Sequence, residues 1–532
     1  MLETSLCIPP LLLYAETHFR FFRGFPSLIF KRWPEILFDA PRRIDPGQDL
    51  PVLLIINDIN RFPVTVNTVD IVCYQKSTGQ RKLTFTDIEP YRLPHFFDRQ
   101  CAVYCFTIAR SLLTDEPAAL NGLAHVMRKK TKRSVLNDNY YGSLNRQLQC
   151  VVTSEYLPNQ SDCFYGDFHV HSGFSQSHVE FGPPIAAIQR IARASGLNGV
   201  AITDHSYDLA CAADNYLKID PSGARWMALR EEADALKGTP PPMMCGEEIS
   251  CLNSNGKVVH LCALGIKSFI PGSLDGARKN ARHEPQLSIT QAIQNINDQN
   301  GLCYAAHPGS KPGFLQRIFL HRGRWTSRDL DAELHAFQAV NSGFGPSWLR
   351  ARTLWISALL SGKKLPLLAG SDAHGDFNRY IAIKHPFVSA GFNDKRYFGY
   401  TRTGVYGRIT GQKDLFDAIK QGRTFVTSGP FIQLAIGGTS TTEIVLTIFN
   451  TQEFGNIDRY IIYGGVLGQS TEKIIAQESF NADRPLSYRK LITIPAYFPL
   501  SNSYVRAEVF CTSPYAARTQ AATSAVYLSA MA

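Results

Sequence analysis

Residues 165–175 read YGDFHVHSGFS. An apolar run here carries two histidines two positions apart. In a β-strand, residues i and i+2 project from the same face. As a strand, the stretch delivers His169 and His171 into one space. That is the spacing at which two imidazoles can share a metal ion. The same pair on a surface strand would simply be solvated, so the remainder of the chain has to decide.

Around this stretch, from about residue 161 to 428, apolar strand candidates alternate with helix-like segments. The strands are GDFHVH, GVAITDH, PMMCGEEIS, VVHLCALGI, LCYAAHPG, AFQAVNSG and LPLLAGSDAH. Between several of them lie PPIAAIQRIARASG, ARWMALREEADALKG, SITQAIQNINDQNG and SWLRARTLWISALLSG. Apolar positions recur at three and four in these segments, and a glycine closes each. Repeated β–α units predict parallel strands, in an open sheet or a closed barrel. The first 160 residues instead hold short alternating runs such as PVLLIIND and CAVYCFTIA. They predict a β-rich, sandwich-like domain, with TSEYLPNQSD (153–162) as a linker. Strand-like runs return from 429 to 532, predicting a second β-rich domain.

Composition sets the outer bounds. Of 532 residues, 44% are hydrophobic and 19% charged, a globular rather than a disordered balance. No run of 18 apolar residues occurs, so no membrane span is expected. The opening residues lack a basic region before their apolar patch, so a cleaved signal peptide is not expected. The 12 cysteines are scattered without a C-x-x-C pair, which fits a cytoplasmic location. The net charge is +10. Its densest run, RKKTKR (128–133), reads as a solvated loop. A diffuse positive field favours small anionic substrates. The aromatic-and-basic interleaving of a single-strand groove is missing, which argues against nucleic acid as the partner. Nothing in the composition fixes an oligomeric state.

The polar residues at the ends of the central strands form a pattern. After His169 and His171 come Asp204 and His205 in AITDH, Glu247 and Glu248 in GEEIS, His260 in VVHL and His307 in AAHPG. Asp372 and His374 follow in GSDAH, again two apart. In parallel β/α folds the carboxyl ends of the strands converge on the active site, so residues two hundred positions apart can meet there. One such histidine would be an ordinary loop residue. Six strands that each bring a His, Asp or Glu, without cysteine, suit Zn²⁺, Mn²⁺ or Fe²⁺. Each ion takes three or four protein ligands, so the set implies two or three ions. Glu248 is preferred to Glu247 because it shares a strand face with Gly246 and Ser250; a bulge would reverse that choice.

Taken in order, DFHVHSGFS, ITDH, GEEIS, AAHPG and GSDAH resemble the polymerase and histidinol phosphatase (PHP) family, over about residues 165–375. HVEFGPP and DLFDAIKQGRTFVTSGPF (414–431) are most similar to its carbaryl-hydrolase-like metallohydrolase branch. The resemblance implies a distorted seven-stranded β/α barrel carrying two or three divalent ions. It makes His169, His171 and His205 ligands, with Glu248 bridging two ions. His260, His307, Asp372 and His374 would complete the set. Relatives often place an acid or a histidine shortly after the first motif. Here the residues are Ser175-Gln176-Ser177-His178, so either His178 fills that place or the third ion position is weakened. Asp204 is expected either to orient His205 or to assist proton transfer. Arg423 is expected either to hold a substrate anion or to order the chain's exit from the barrel by an ion pair.

The expected activity is hydrolysis by a metal-generated hydroxide, on a phosphoester or on a carbamate or ester bond of a small anionic substrate. No G-x-S-x-G nucleophile signature occurs. The amidohydrolase superfamily also opens with H-x-H, but its bridging lysine has no counterpart at the end of VVHLCALGI. Two other possibilities stand beside the hydrolase: a metal-binding scaffold whose β-domains bind carbohydrate or protein, and a nucleic-acid-processing phosphoesterase.

Overall fold

The computed structural model describes residues 33–57, 59–60, 62–90, 101–139, 146–175, 182–212, 219–272, 287–319, 321–375, 377–378, 382–385, 388–391, 397–437, 443–481, 484–516 and 518–528. The seven central strands are β1 (Cys163–Val170), β2 (Gly199–His205), β3 (Met243–Leu252), β4 (Val258–Leu264), β5 (Leu302–Ala305), β6 (Ala336–Asn341) and β7 (Leu367–Gly370). They are hydrogen-bonded to one another in chain order. Their near-continuous apolar character follows from burial on both faces. β1–β2, β2–β3, β5–β6 and β6–β7 are parallel pairs.

Parallel neighbours need a crossover; the short helix Phe314–Phe319 lies in the one between β5 and β6, and longer helices supply the other three. These are α1 (Ile185–Ala194) before β2, α2 (Ala224–Ala235) before β3 and, after α3 (Ile289–Asn297) before β5, α4 (Pro346–Leu360) before β7. The apolar stripe of α1 is buried through Ile185, Ile188 and Ile191. α3 starts at a capping box in which Ser288 and Gln291 each take the other's backbone amide, satisfying two donors that a helix start leaves open.

β4 departs from the expected uniform direction: it runs antiparallel to both β3 and β5. The cause lies in the short connection from β3 to β4. Asn253 Oδ1 accepts the amides of Asn255 and Lys257, each at 2.9 Å, and Gly256 turns the chain at φ 65°. An Asn-Gly turn of this kind makes a hairpin, and so tight a link cannot carry a crossover.

The first and last of the seven strands also meet. Just past β7, the Asp372 amide donates to the His169 carbonyl at 2.8 Å, and the His171 amide donates to the Ala373 carbonyl at 2.9 Å. This approach requires Gly370, where a Cβ would lie 2.5 Å from that of His169.

On its other edge β1 pairs with Arg402–Tyr406. The sheet then continues through Thr424–Thr427, Thr519–Thr523, Ser503–Thr512, Asn456–Val466 and Lys473–Ser479, and Val526–Leu528 pairs with Ser503–Thr512, making fourteen strands in all. It therefore runs uninterrupted across residue 429. Before β1, Glu35–Asp39, Leu50–Asn57 and Cys101–Ile108 form one antiparallel sheet, and a six-stranded sheet faces it. Leu50–Asn57 is buried along its whole length. Val52, Leu54 and Ile56 join the core between these two sheets. Leu53 and Ile55 point the other way, into the core shared with β1–β7. The basic stretch 128–133 is a hairpin whose Arg133 guanidinium lies 4.4 Å from the ring centre of Trp33. Among the described residues no helix is long and apolar enough to cross a membrane.

Candidate metal centre

Six of the seven strands deliver eight side chains to one buried point, and Glu248 lies at its middle. Its Oε1 is 2.7 Å from His307 Nε2 and in contact with His260 Nδ1. Its Oε2 is 2.7 Å from His205 Nδ1 and 3.5 Å from Nε2 of both His169 and His171. Asp372 Oδ1 closes the arrangement, 3.6 Å from His169 Nε2 and 3.3 Å from His171 Nε2. The His374 ring stacks on His171 at 3.9 Å, its Nδ1 turned to the Asp372 carbonyl at 3.1 Å. Because β4 is antiparallel, His260 comes from near the start of its strand, opposite Ser250, and not from a carboxyl end.

Glu247 points away from this cluster. Its Oε1 accepts the Ile270 amide at 2.8 Å, and burial pushes its carboxyl well above the usual range. Glu248 is buried as deeply, yet His260, His169 and His205 around it hold its carboxyl well below that range.

The hydrogen-bond partners assign the imidazole tautomers. His169 Nδ1 donates to Gln338 Oε1 at 2.8 Å, and His171 Nδ1 donates to Ser175 Oγ at 3.0 Å. Each ring then turns its Nε2 to the centre, and these two nitrogens face each other at hydrogen-bonding distance, 3.1 Å; burial opposes protonation of His169, but Cys262, Glu248 and Asp372 around it raise its pKa well above the ordinary value. His205 Nδ1 and Glu248 Oε2, although 2.7 Å apart, lack the alignment of a hydrogen bond, and both are buried without another partner. Burial, reinforced by His374 and His205, lowers the His171 pKa well below its ordinary value, so its ring is neutral. Buried polar atoms that converge without a full set of hydrogen-bond partners are costly. A cation at the centre would relieve all of them at once.

Among the described residues three groupings could hold such an ion: His171 with His205 and His374; His169 with His171 and Glu248; and His205 with Glu248 and His260. Within each, the ligand atoms lie within 4.8 Å of one another. The first is all imidazole and the other two add the Glu248 carboxylate, donors that fit a borderline divalent metal.

The backbone around the cluster is forced. His307, Ser342 and Asp372 follow β5, β6 and β7 with φ of 31°, 61° and 55°. Left-handed backbone at a non-glycine residue costs of order 1–3 kcal/mol and collects at functional sites.

Other residues hold the ligands in place. Gln338 Nε2 donates to Asn341 Oδ1 at 3.2 Å, and Asn341 Nδ2 donates to Asp372 Oδ2 at 3.1 Å. A register shift between Gln338 and Val340 brings these two amides, three apart, to the same side of β6. Arg322, from the segment between β5 and β6, lays its Nη1 against His260 Nε2. Tyr207 stacks on the His205 ring at 4.6 Å.

Two expected site residues take other places. Asp204 contacts the turn after β1 and not the His205 ring: its oxygens accept the Ser172 amide (2.8 Å), Ser172 Oγ (2.6 Å) and Ser175 Oγ (2.7 Å). Through Ser175 it orients His171. Arg423 lies at the opposite end of the strands. Its carbonyl accepts the Tyr406 amide, and Tyr406 pairs with Cys163 at the start of β1. Six residues of extended chain, about 20 Å, separate that level from His169. His178 lies outside the described residues.

No protein-family model matches the chain, and no curated protein matches it. Among solved structures, an FMN-binding beta-glucuronidase from Facaelibacterium prausnitzii L2-6 is similar at 8% identity over 92% of this chain and 73% of that one, with a TM-score of 0.21. That likeness is too slight to carry any argument about fold or chemistry.

Proposed function

We propose that the chain is a metal-dependent hydrolase of the PHP type, its seven central strands closing as a distorted barrel around two or three divalent ions. The observation that carries this reading is the Glu248 carboxylate surrounded by five imidazoles, two of which turn Nε2 to each other at 3.1 Å. The bonds between β1 and the residues after β7 support the closed arrangement.

His169, His171, His205, Glu248, His260, His307, Asp372 and His374 would hold the ions, as zinc, manganese or iron. Bound there, such ions lower the pKa of a water towards neutrality and polarise a scissile P=O or C=O. The protein's own part is positioning. Gln338, and Asp204 through Ser175, orient the His169 and His171 rings so that both turn Nε2 to the centre. Ligand partners of this kind commonly set metal affinity by 10- to 100-fold. The buried Tyr207, stacked on His205, limits water around the cluster, which strengthens electrostatic interactions inside it.

The test is a hydrolysis panel on metal-quantified protein, with aryl phosphates, phosphodiesters, aryl carbamates and aryl esters side by side. Turnover that disappears with a chelator and returns with metal is expected. Protein that takes up no divalent ion ends the proposal. Protein that holds its metal stably yet turns over none of the four classes would favour a scaffold.

A further inference from the structure

β6 is the central strand that delivers no ligand to the cluster, yet two of its side chains join ligands from both sides. We infer that Gln338 and Asn341 are positioning residues that form a directional relay, through which the Asp372 carboxylate fixes which ring nitrogen His169 offers to an ion; the inference rests on the metal-dependent reading above.

The relay is a continuous run of hydrogen bonds. Asn341 Nδ2 donates to Asp372 Oδ2 at 3.1 Å, Gln338 Nε2 donates to Asn341 Oδ1 at 3.2 Å, and His169 Nδ1 donates to Gln338 Oε1 at 2.8 Å. All four side chains are buried, so a bond lost here is not replaced by one to bulk water.

Its direction follows from its ends. A primary amide carries an acceptor at one end and donors at the other, and turning it over exchanges them. A carboxylate that binds metal only accepts. Asp372 therefore takes the NH₂ end of Asn341. That leaves Asn341 Oδ1 for Gln338, and Gln338 in turn meets His169 with its oxygen. His169 then keeps a proton on Nδ1, and Nε2 is the nitrogen left for an ion. The His307 amide imposes the same direction from the third side: it donates to Gln338 Oε1 at 3.3 Å, where an NH₂ group would leave it without an acceptor. Cys262 Sγ, 3.8 Å from His169 Nδ1, is too weak a partner to reverse this order.

If Gln338 turned over, its NH₂ would face both the His169 ring and the His307 amide. The ring would have to move its proton to Nε2 and would cease to be a ligand. The two amides thus tie His169 on β1 to Asp372 beyond β7, so neither ligand is set independently of the other.

The test is a double-mutant cycle read as zinc affinity, by competition against a chromophoric chelator. Wild type is compared with Asn341→Leu, Gln338→Glu and the double variant, each substitution close in shape to the original. Asn341→Leu leaves Gln338 free to turn over and should weaken zinc binding by about 10- to 100-fold, the usual worth of a ligand's outer partner. Gln338→Glu should weaken it to a similar extent for a different reason. The new carboxylate accepts from His169 but also claims the Asn341 NH₂, turning Asn341 Oδ1 against Asp372. In the double variant that conflict is gone, and a carboxylate needs no orienting. It should bind zinc about tenfold or more tightly than the product of the two single losses predicts. Two residues that merely filled space would give losses that multiply.

Urea unfolding of the metal-free proteins checks that each variant folds, with Asn341→Ala in place of Asn341→Leu if the latter does not. Losses that multiply in the double variant overturn the inference, and so does zinc binding within about threefold of wild type in Asn341→Leu. Either result leaves the hydrolase reading intact, because the wild-type protein has then bound its metal. A wild-type protein that takes up no zinc or other divalent ion removes both.

Discussion

Replacing Glu248 by glutamine keeps the shape of the side chain and removes its charge. Five imidazoles surround this carboxylate, from 2.7 to 3.5 Å wherever the contact is of ordinary length. The amide would supply one neutral oxygen and, on its other side, an NH₂ group directed at nitrogens that are already lone-pair donors. Removing one partner from a buried charge pair costs about 3–5 kcal/mol, which corresponds to a 100- to 4,000-fold weaker metal dissociation constant. The assay is competition against a chromophoric chelator, with the ion count per chain fixed by elemental analysis. Glu247→Gln is the control. Its carboxyl lies on the other face of β3, is held protonated by burial and accepts only the Ile270 amide, so glutamine resembles the form already present. Metal affinity there should stay within about threefold, since substitutions away from such a centre move little. If Glu248→Gln holds its ions as tightly as wild type, the central assignment is wrong. If Glu247→Gln loses them instead, the two glutamates have been exchanged.

Ser175→Ala should weaken metal binding by about 10- to 100-fold, because His171 loses the acceptor that fixes its tautomer; unchanged affinity in the same chelator titration would count against the Asp204–Ser175–His171 chain. Arg423→Ala should leave metal content and KM unaltered, and a fall in either would contradict its placement beside the start of β1. Glu232 gives a pH prediction. Burial, with a smaller contribution from Asp204, raises its carboxyl to about 7, against an unfolded value near 4.3. A group whose folded pKa is the higher one binds more protons when folded, so stability is lost as pH rises through that window, by about 4 kcal/mol in total. Glu232→Gln should abolish this component, seen in urea midpoints at pH 5 and pH 8; an unchanged pH slope would refute it.

What the sequence makes legible here is whatever the period of two controls. His169 and His171 share a face because strands alternate, and Glu248 parts from Glu247 for the same reason. Direction is not written in that period. The Asn-Gly turn before Lys257 carries the signal that β4 reverses, but the surrounding β–α rhythm overrides it. Arg423 is misplaced for a related reason: the end of a strand on which a residue lies depends on the polarity of neighbours far away in sequence. Gln338 and Asn341 act together only because a register shift sets residues three apart side by side. Arg322 belongs to a segment with no periodicity at all, and only the pairing of residues 321–323 with Val258 brings it to His260.

The junction between β1 and the residues after β7 has a kinetic consequence. His169 and His171 stand on one side of it, Asp372 and His374 on the other, and two backbone hydrogen bonds cross it. An ion gripped from both sides acts as a clasp over a join that encloses about two hundred residues of chain. Opening the join requires letting go of the ion, and releasing the ion frees the join to breathe. Amide hydrogen exchange at His171 and Asp372 should then keep pace with the off-rate of the metal, slow in its presence and rapid once a chelator has removed it.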